Sequence, residues 1–391
     1  MKKKIKVLYI IDTNIPNVAN GANAALLNII DEMINYDVEP MVVVAHYGSF
    51  CEELEKRKIT FKITDHQCHV YPKVKSLKNA VAFFPRLLRM LMKNSNSQLK
   101  LKKIVEKFHP DLIHTNIGKI HIGYNVAKKL NIPHVWHIRE YQDLDFGATP
   151  FPSKKRFINK LNSITNNTIA ITQGIFNHFN MTENAQVIYD GVMKEESIQF
   201  LEKKDNYFLF LGRLEETKGI RQLLVAFIDF AHNNHDFELL IAGNGHDVFV
   251  NELKNIVNES GFVKRIHFLG FRKDISELLS KATALIVPSK YEGFGFITVE
   301  AMFNGCLVVG NNSGGTKEIL ENENLGILYT GHEELVSALN KIVYLGIENY
   351  YPMIKKAQII ASKLYSQEQN VNSIYNFYKE ILAKRSDKSI H

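Results

Sequence analysis

The sequence predicts an α/β protein made of two doubly wound parallel-sheet domains in tandem. Three observations carry this. Short β-branched and aromatic runs alternate with longer stretches at helical spacing, and such βαβ alternation implies a parallel sheet covered on both faces. The alternation stops once, at the polar segment "KEESIQFLEKKDNY", and then restarts. The chain has 391 residues, which is long for one domain and ordinary for two of roughly 180–200 residues each.

Taken in order, "KVLYIID" reads as the first strand, and "GANAALLNIIDEMINY" has apolar residues at helical spacing behind a Gly turn. "EPMVVVAHYG" is the next strand and "SFCEELEKRK" the next helix. Strands "DLIHTN", "PHVWHIR" and "TIAITQ" follow, and "VIYDGV" ends the series. After the polar segment come strand "YFLFLGR", helix "KGIRQLLVAFIDFAHNN", strand "FELLIAGNG", helix "VFVNELKNIVNESG" and strand "RIHFLGF". A short helix "DISELLSKA", strand "TALIVPS", helix "TVEAMFNG" and strand "CLVVGNN" complete the second series. Helices close the chain. Ligands are expected at the carboxyl ends of the strands and in the cleft between the domains.

Composition narrows the function classes. Cys51, Cys68 and Cys306 show no CxxC or His-Cys clustering, which argues against a zinc site or a disulfide framework and suits a reducing cytoplasm. The apolar run of "MKKKIKVLYIIDTNIP" is short and interrupted by Asp12, so it reads as a strand behind a basic tip, not as a signal peptide. No apolar stretch reaches about 18 residues, so no transmembrane helix is expected. The net charge of +7 is uneven: residues 1–200 hold 27 Lys/Arg against 18 Asp/Glu. Residues 66–105 contain nine Lys/Arg, no acid and the run "AVAFFPRLLRMLMK". Such a stretch suits an anionic membrane surface and equally a helix with a solvated Lys face. Residues 73–103 are the candidate docking segment. No helix-turn-helix, RNP-like or Cys/His finger pattern is present, so nucleic acid is not an expected partner.

The motifs that carry chemistry fall at strand ends. "FLGRLEETKG" places Gly212, Arg213 and Lys218 in a strand-to-helix turn. An Arg fork and a Lys point charge there suit a diphosphate; a solvated turn is the plainer reading. "AGNGHD" offers Gly243 and Gly245 for a tight turn. A dinucleotide fingerprint wants glycine at 248, which is Val248, so a dehydrogenase loses its main support. In "PSKYEGFGFITVEAM", Gly293 and Gly295 precede a helix whose first N–H groups form an anion site. Glu292 lies in the turn, and Glu300 more than one turn into the helix. The two carboxylates suit polar clamps on two sugars with a diphosphate between them; acidic residues complementing a helix dipole are the alternative.

Together these residues resemble the retaining glycosyltransferases of family 4, a GT-B-fold family that uses nucleotide-sugar donors and is marked by a Glu–x7–Glu pair. The likeness runs along almost the whole chain. It is strongest through "LGRLEETKG", "IAGNG", "FLGF", "VPSKYEGFGFITVEAMFNGCLVV" and "SGGTKEIL", and weaker in the first half. It implies an acceptor-binding domain over residues 1–195 and a nucleotide-sugar-binding domain over 196–365. A C-terminal helix over 366–391 would pack back toward the first domain. It also implies roles. Arg213 and Lys218 would hold the diphosphate. Glu292 would meet the donor sugar beside the backbone of Gly293, Phe294 and Gly295, and Glu300 would hold the ribose. Gly243 would line the donor site, and Gly270, Phe271 and Arg272 would lie near the base. In the first half the family's Gly-Gly-Ala-like loop reads "ANGANAAL", with Asn20 replacing the first glycine and Gly21 keeping the close approach. The family's strand-end His matches His137 in "HVWHIRE", with His114 in "DLIHTN" as a rival. Asp190 stands in "YDGV" where Asn is common, and reads as linker detail.

The expected reaction is transfer of a sugar from a UDP- or GDP-sugar to a saccharide or lipid-linked saccharide, with retention. Arg213, Lys218 and the helix N-terminus would stabilise the leaving group, and Glu292 and His137 complete the expected catalytic set. No Asp-x-Asp is read in the sequence, so no cofactor and no metal is expected. The setting would be bacterial surface polysaccharide synthesis, in the cytoplasm or peripherally at the inner membrane face. A nucleotide-sugar 2-epimerase of similar fold and a non-catalytic partner subunit are the rival readings.

Overall fold

The computed structural model describes residues 4–12, 21–74 and 76–388. They divide into two compact units, Met1–Gly191 with Gln367–His391, and Val192–Ser366.

The first unit holds a seven-stranded sheet: β1 (Ile5–Ile11), β2 (Val38–Val44), β3 (Phe61–Ile63), β4 (Leu112–Thr115), β5 (His134–Ile138), β6 (Asn166–Ala170) and β7 (Ala185–Val187). Their order is β3-β2-β1-β4-β5-β6-β7, and every pairing is parallel. β1, β4 and β5 are buried because helices cover both faces, which is why they read as unbroken apolar runs. β3 and β7, three residues each, are the edges. "VIYDGV" leaves the ladder almost at once: β7 ends at Val187, and only the Ile188 N–H reaches back, to the Ala170 carbonyl at 3.0 Å. The helix Gln367–Lys388 belongs to this unit, and its Val371, Ile374, Phe377, Tyr378 and Ile381 join the core.

The basic stretch becomes two helices, Leu77–Val81 and Phe83–Phe108, with Ala82 between them. Pro85 sits in the first turn of the second, where a missing N–H costs nothing. Met90, Asn94, Ser97, Leu101, Val105 and Phe108 form its buried stripe, three or four residues apart. Phe84, Leu88 and Met92 repeat the same spacing facing outward, 75%, 59% and 59% exposed.

The second unit holds six parallel strands: β8 (Asp205–Leu211), β9 (Glu238–Ala242), β10 (Ile266–Gly270), β11 (Ala282–Val287), β12 (Leu307–Asn311) and β13 (Ile327–Tyr329). Their order is β10-β9-β8-β11-β12-β13. The strand order reverses between β8 and β11, where an open α/β sheet leaves a crevice at its carboxyl edge. The core beneath is built from Phe208, Phe210, Phe227, Phe230 and the aliphatics of β9, β11 and β12.

Candidate active site

The crevice of the second unit is floored by the loops that leave β8 and β11. The loop after β8 ends in a 3-10 turn, Glu216–Lys218, followed by Gly219 at φ +71°. A Cβ on Gly219 would stand 2.2 Å from the Pro288 carbonyl oxygen, so glycine is what lets this turn lie against the end of β11. Lys218, brought there, donates from Nζ to Glu292 Oε1 at 2.7 Å, with the two side chains 23% and 20% exposed. A cation and an anion 74 residues apart thus meet at the switch point, in a half-buried, charge-assisted bond.

The loop after β12 holds the Glu292 turn in place. The Gly315 N–H donates to the Glu292 carbonyl at 2.8 Å, and a Cβ on Gly315 would fall 1.9 Å from the Phe294 carbonyl oxygen. The glycine pair in "SGGTKEIL" is therefore what positions Glu292. The Phe294 ring is buried against Phe296 and Tyr365, while Gly295, at φ +110°, caps the helix Phe296–Phe303. The first-turn N–H groups of that helix lack intrahelical acceptors and its dipole favours an anion there. Glu300 lies inside the same helix between buried Val299 and Ala301. Burial alone pushes its carboxyl up to about 7.

The other expected donor residues surround this floor. Arg213 follows β8 but pairs with Glu215 at 2.9 Å and is 55% exposed, so the structure joins Lys218 to Glu292 and leaves Arg213 on its own turn. Gly243 follows β9 at φ +144°. A Cβ there would stand 1.8 Å from the Gly212 carbonyl oxygen, so packing of neighbouring loops already requires this glycine. The Gly243 N–H donates to the Gly270 carbonyl at 2.8 Å, tying the ends of β9 and β10. Beyond Gly270, Phe271 is 66% exposed, and Arg272 Nε donates to Asp274 at 2.8 Å.

In the first unit, Gly21 opens the helix Gly21–Met33, and Asn20 lies outside the described residues. His137 on β5 and His114 on β4 are neighbours, with Nδ1 of His137 3.3 Å from Nε2 of His114. Both are fully buried, and burial, with Arg139 second, holds both rings well below the usual imidazole range. Arg139 can only donate, and its Nη2 lies 3.4 Å from His137 Nδ1. His137 Nδ1 is then the acceptor and the ring proton sits on Nε2, a buried atom with no partner in the structure. His114 in turn takes the Tyr378 hydroxyl at Nδ1.

Two features correct the sequence reading. Asp190 is not linker detail: it is fully buried and forms an ion pair with Arg139, whose Nε also donates to Asn116 Oδ1 at 3.1 Å. A single Asp after an apolar run was the signal for it. The triplet Asp143–Leu144–Asp145 is an Asp-x-Asp overlooked in the sequence. Asp143 pairs with Lys154 at 2.9 Å and His178 at 2.8 Å, and Asp145 accepts the Tyr141 N–H at 2.9 Å. Among the described residues no group of three or more His, Cys, Asp or Glu is placed to hold a metal ion.

Chemically, a cation and a helix N-terminus beside two carboxylates can bind a diphosphate flanked by hydroxyl-bearing groups. Several known proteins are similar to this chain. An uncharacterized glycosyltransferase of Methanocaldococcus jannaschii is 30% identical over 234 residues, 58% of this chain and 63% of that protein. A second from the same organism is 28% identical and matched over 62% of its length, so the chain spans under two thirds of these first relatives. The Escherichia coli UDP-Gal:alpha-D-GlcNAc-diphosphoundecaprenol alpha-1,3-galactosyltransferase is 27% identical over 63% of this chain and 70% of its own. HepE of Anabaena, solved with UDP, superimposes with a TM-score of 0.78 over 96% of this chain and all of its own, at 21% identity. The fold is GT-B. Residues 193–359, nearly all of the second unit, match the family model described as glycosyl transferases group 1.

Proposed function

We propose that this protein is a retaining glycosyltransferase of family 4 that moves a sugar from a nucleotide-diphosphate donor to a saccharide or lipid-linked saccharide. The observation that carries the reading is the Lys218–Glu292 pair at the β8/β11 switch point, beside the N-terminus of Phe296–Phe303. Lys218 and that helix end neutralise the diphosphate, with Arg213 turning from Glu215 to join them. Glu292 takes hydroxyls of the donor sugar and Glu300 those of the ribose. His137 offers its Nε2–H as a neutral donor. The bond from the sugar's anomeric carbon to the β-phosphate oxygen breaks. The acceptor oxygen bonds to that carbon on the same face, and its proton passes to the departing phosphate. No metal takes part in this scheme.

The occurrence of UDP with HepE and the name of the E. coli relative support a nucleotide donor and a lipid-linked acceptor. The outward Phe84, Leu88 and Met92, interleaved with Arg86 and Arg89, suit docking on an anionic membrane, at the inner face if the product is a surface polysaccharide. The test is incubation with UDP-, GDP- and ADP-sugars and octyl glycoside acceptors, with the product's anomeric coupling read by NMR. An α product from an α donor, lost in Glu292→Ala while nucleoside diphosphate binding stays within a few-fold, supports the reading. An inverted product, or none with any donor, overturns it.

A further inference from the structure

The outward apolar row of the helix Phe83–Phe108 continues beyond that helix. Upstream, Leu77 and Val81 repeat the four-residue spacing, Leu77 being 86% exposed, and exposed Val74 precedes them. The chain just before them is tied to a second segment, the loop that follows β5. The Tyr71 N–H donates to the Thr149 carbonyl at 2.8 Å, the Phe151 N–H to the His69 carbonyl at 3.1 Å, and Lys73 Nζ to the Phe146 carbonyl. The Tyr71 ring meets Phe151 at 5.1 Å and stacks on Phe83 at 6.2 Å, centroid to centroid.

That second segment also presents apolar side chains. Its short helix Asp143–Phe146 starts five residues past Ile138, the end of β5. Leu144 and Phe146 are exposed, while the acids that alternate with them are engaged: Asp143 with Lys154 and His178, Asp145 with the Tyr141 N–H. Lys119 Nζ lies 3.9 Å from the centre of the Phe146 ring and steadies it with a cation on one face. Exposed apolar side chains gathered on adjoining segments mark an interaction surface.

We infer that Leu144 and Phe146 extend the surface of Val74, Leu77, Val81 and Phe84 into one docking face for an anionic phospholipid bilayer, which brings the carboxyl end of β5 to the headgroups. Charge selects this occupant. Residues 66–105 hold nine Lys/Arg and no acid, and among the described residues none of Lys73, Lys78, Arg86 and Arg89 pairs with a carboxylate. A second copy presenting the same patch would bring like charges together. A nucleic acid would use the cations and leave the apolar side chains in water. An anionic bilayer takes both, cations at the headgroups and apolar tips below them. Open α/β sheets hold ligands at the carboxyl ends of their strands. On the glycosyltransferase reading, on which this step alone rests, the acceptor is therefore a membrane lipid whose sugar lies at headgroup level.

The test uses the full chain with vesicles of phosphatidylglycerol and phosphatidylcholine, and of phosphatidylcholine alone. Wild type should co-sediment with the first kind only. Leu144→Ser/Phe146→Ser and Leu77→Ser/Val81→Ser should each partition at least fivefold more weakly, with UDP, GDP and ADP binding and Tm unchanged, because the replaced side chains are exposed. A dye on Phe146→Cys should be quenched by nitroxide-labelled lipid. One on Ile164→Cys should not, since the loop entering β6 lies at the opposite edge of the parallel sheet. Labelling of wild type, whose cysteines are buried or half-buried, gives the blank. If wild type binds neither vesicle, if Leu144→Ser/Phe146→Ser partitions as wild type does, or if the dye on Phe146→Cys escapes quenching, the face is wrong. Self-association without lipid that Leu144→Ser/Phe146→Ser abolishes would also overturn it, as an interface between copies. If the lipid results hold but no nucleoside diphosphate binds, the face stands and the glycosyltransferase reading falls.

Discussion

Replacing Glu300 by Gln should uncouple nucleotide binding from pH. Burial alone pushes the Glu300 carboxyl from 4.5 up to about 7. In the proposed role, holding ribose hydroxyls, it would act as a carboxylate. At pH 6 about one molecule in ten then has it ionised, and at pH 8 about nine in ten. Affinity for a nucleoside diphosphate should therefore rise about tenfold over that range through this group, about 1.4 kcal/mol. Stability moves the other way. The folded pKa lies above the unfolded one, so the folded state binds the proton more tightly. The stability this provides is full below about pH 4.5 and is lost as pH rises through about 7. The shift sets an upper bound of about 3 kcal/mol, and partial solvent access at Glu300 lowers it. Glu300→Gln should thus be more stable than wild type at pH 8 and no more stable at pH 5. The assay is calorimetry of UDP binding at pH 6, 7 and 8 with both proteins. The nucleotide's own titration is common to both and cancels in the ratio of their Kd values. A ratio that stays constant across this range would refute the reasoning.

Three other outcomes follow from the same geometry. Asp190→Ala leaves the Arg139 guanidinium buried with no counter-charge, and should cost about 3–5 kcal/mol in urea unfolding; a loss under about 1 kcal/mol would show that the pair does not hold the strand ends. In the proposed scheme Lys218 and the helix end supply the neutralising charge, so turnover with the proper donor and acceptor should survive EDTA; activity lost in EDTA and restored by magnesium or manganese would overturn that mechanism. Co-sedimentation with liposomes should need anionic lipid, weaken with salt and fall in Phe84→Ser/Leu88→Ser; equal binding to neutral vesicles would count against docking through this helix.

How far the sequence could be read depended on how local each signal is. β1, β4, β5, β8 and β11 were legible because parallel strands buried on both faces must be apolar throughout. β3 and β13 were not, since three residues at a sheet edge carry no periodicity to detect. The Lys218–Glu292 bond was invisible as a bond, although both residues stood out singly. Their meeting depends on Gly219 lying under Pro288 and on Gly315 lying against Phe294. Gly243 reads as a ligand-approach glycine, yet the Gly212 carbonyl already excludes a side chain there. His114 and His137 look like rivals in the sequence because register across β4 and β5 is what makes them partners.

The central claim is that the loops after β8 and β11 receive a nucleoside diphosphate through Lys218. Calorimetric titration of UDP, GDP and ADP into the full chain and into Lys218→Ala tests it directly. Wild type should bind at least one of the three, and Lys218→Ala should bind it at least tenfold more weakly, a loss of about 1.4 kcal/mol or more, with an unchanged fold. Binding of none of the three by wild type, or equal binding by the two proteins, would contradict it.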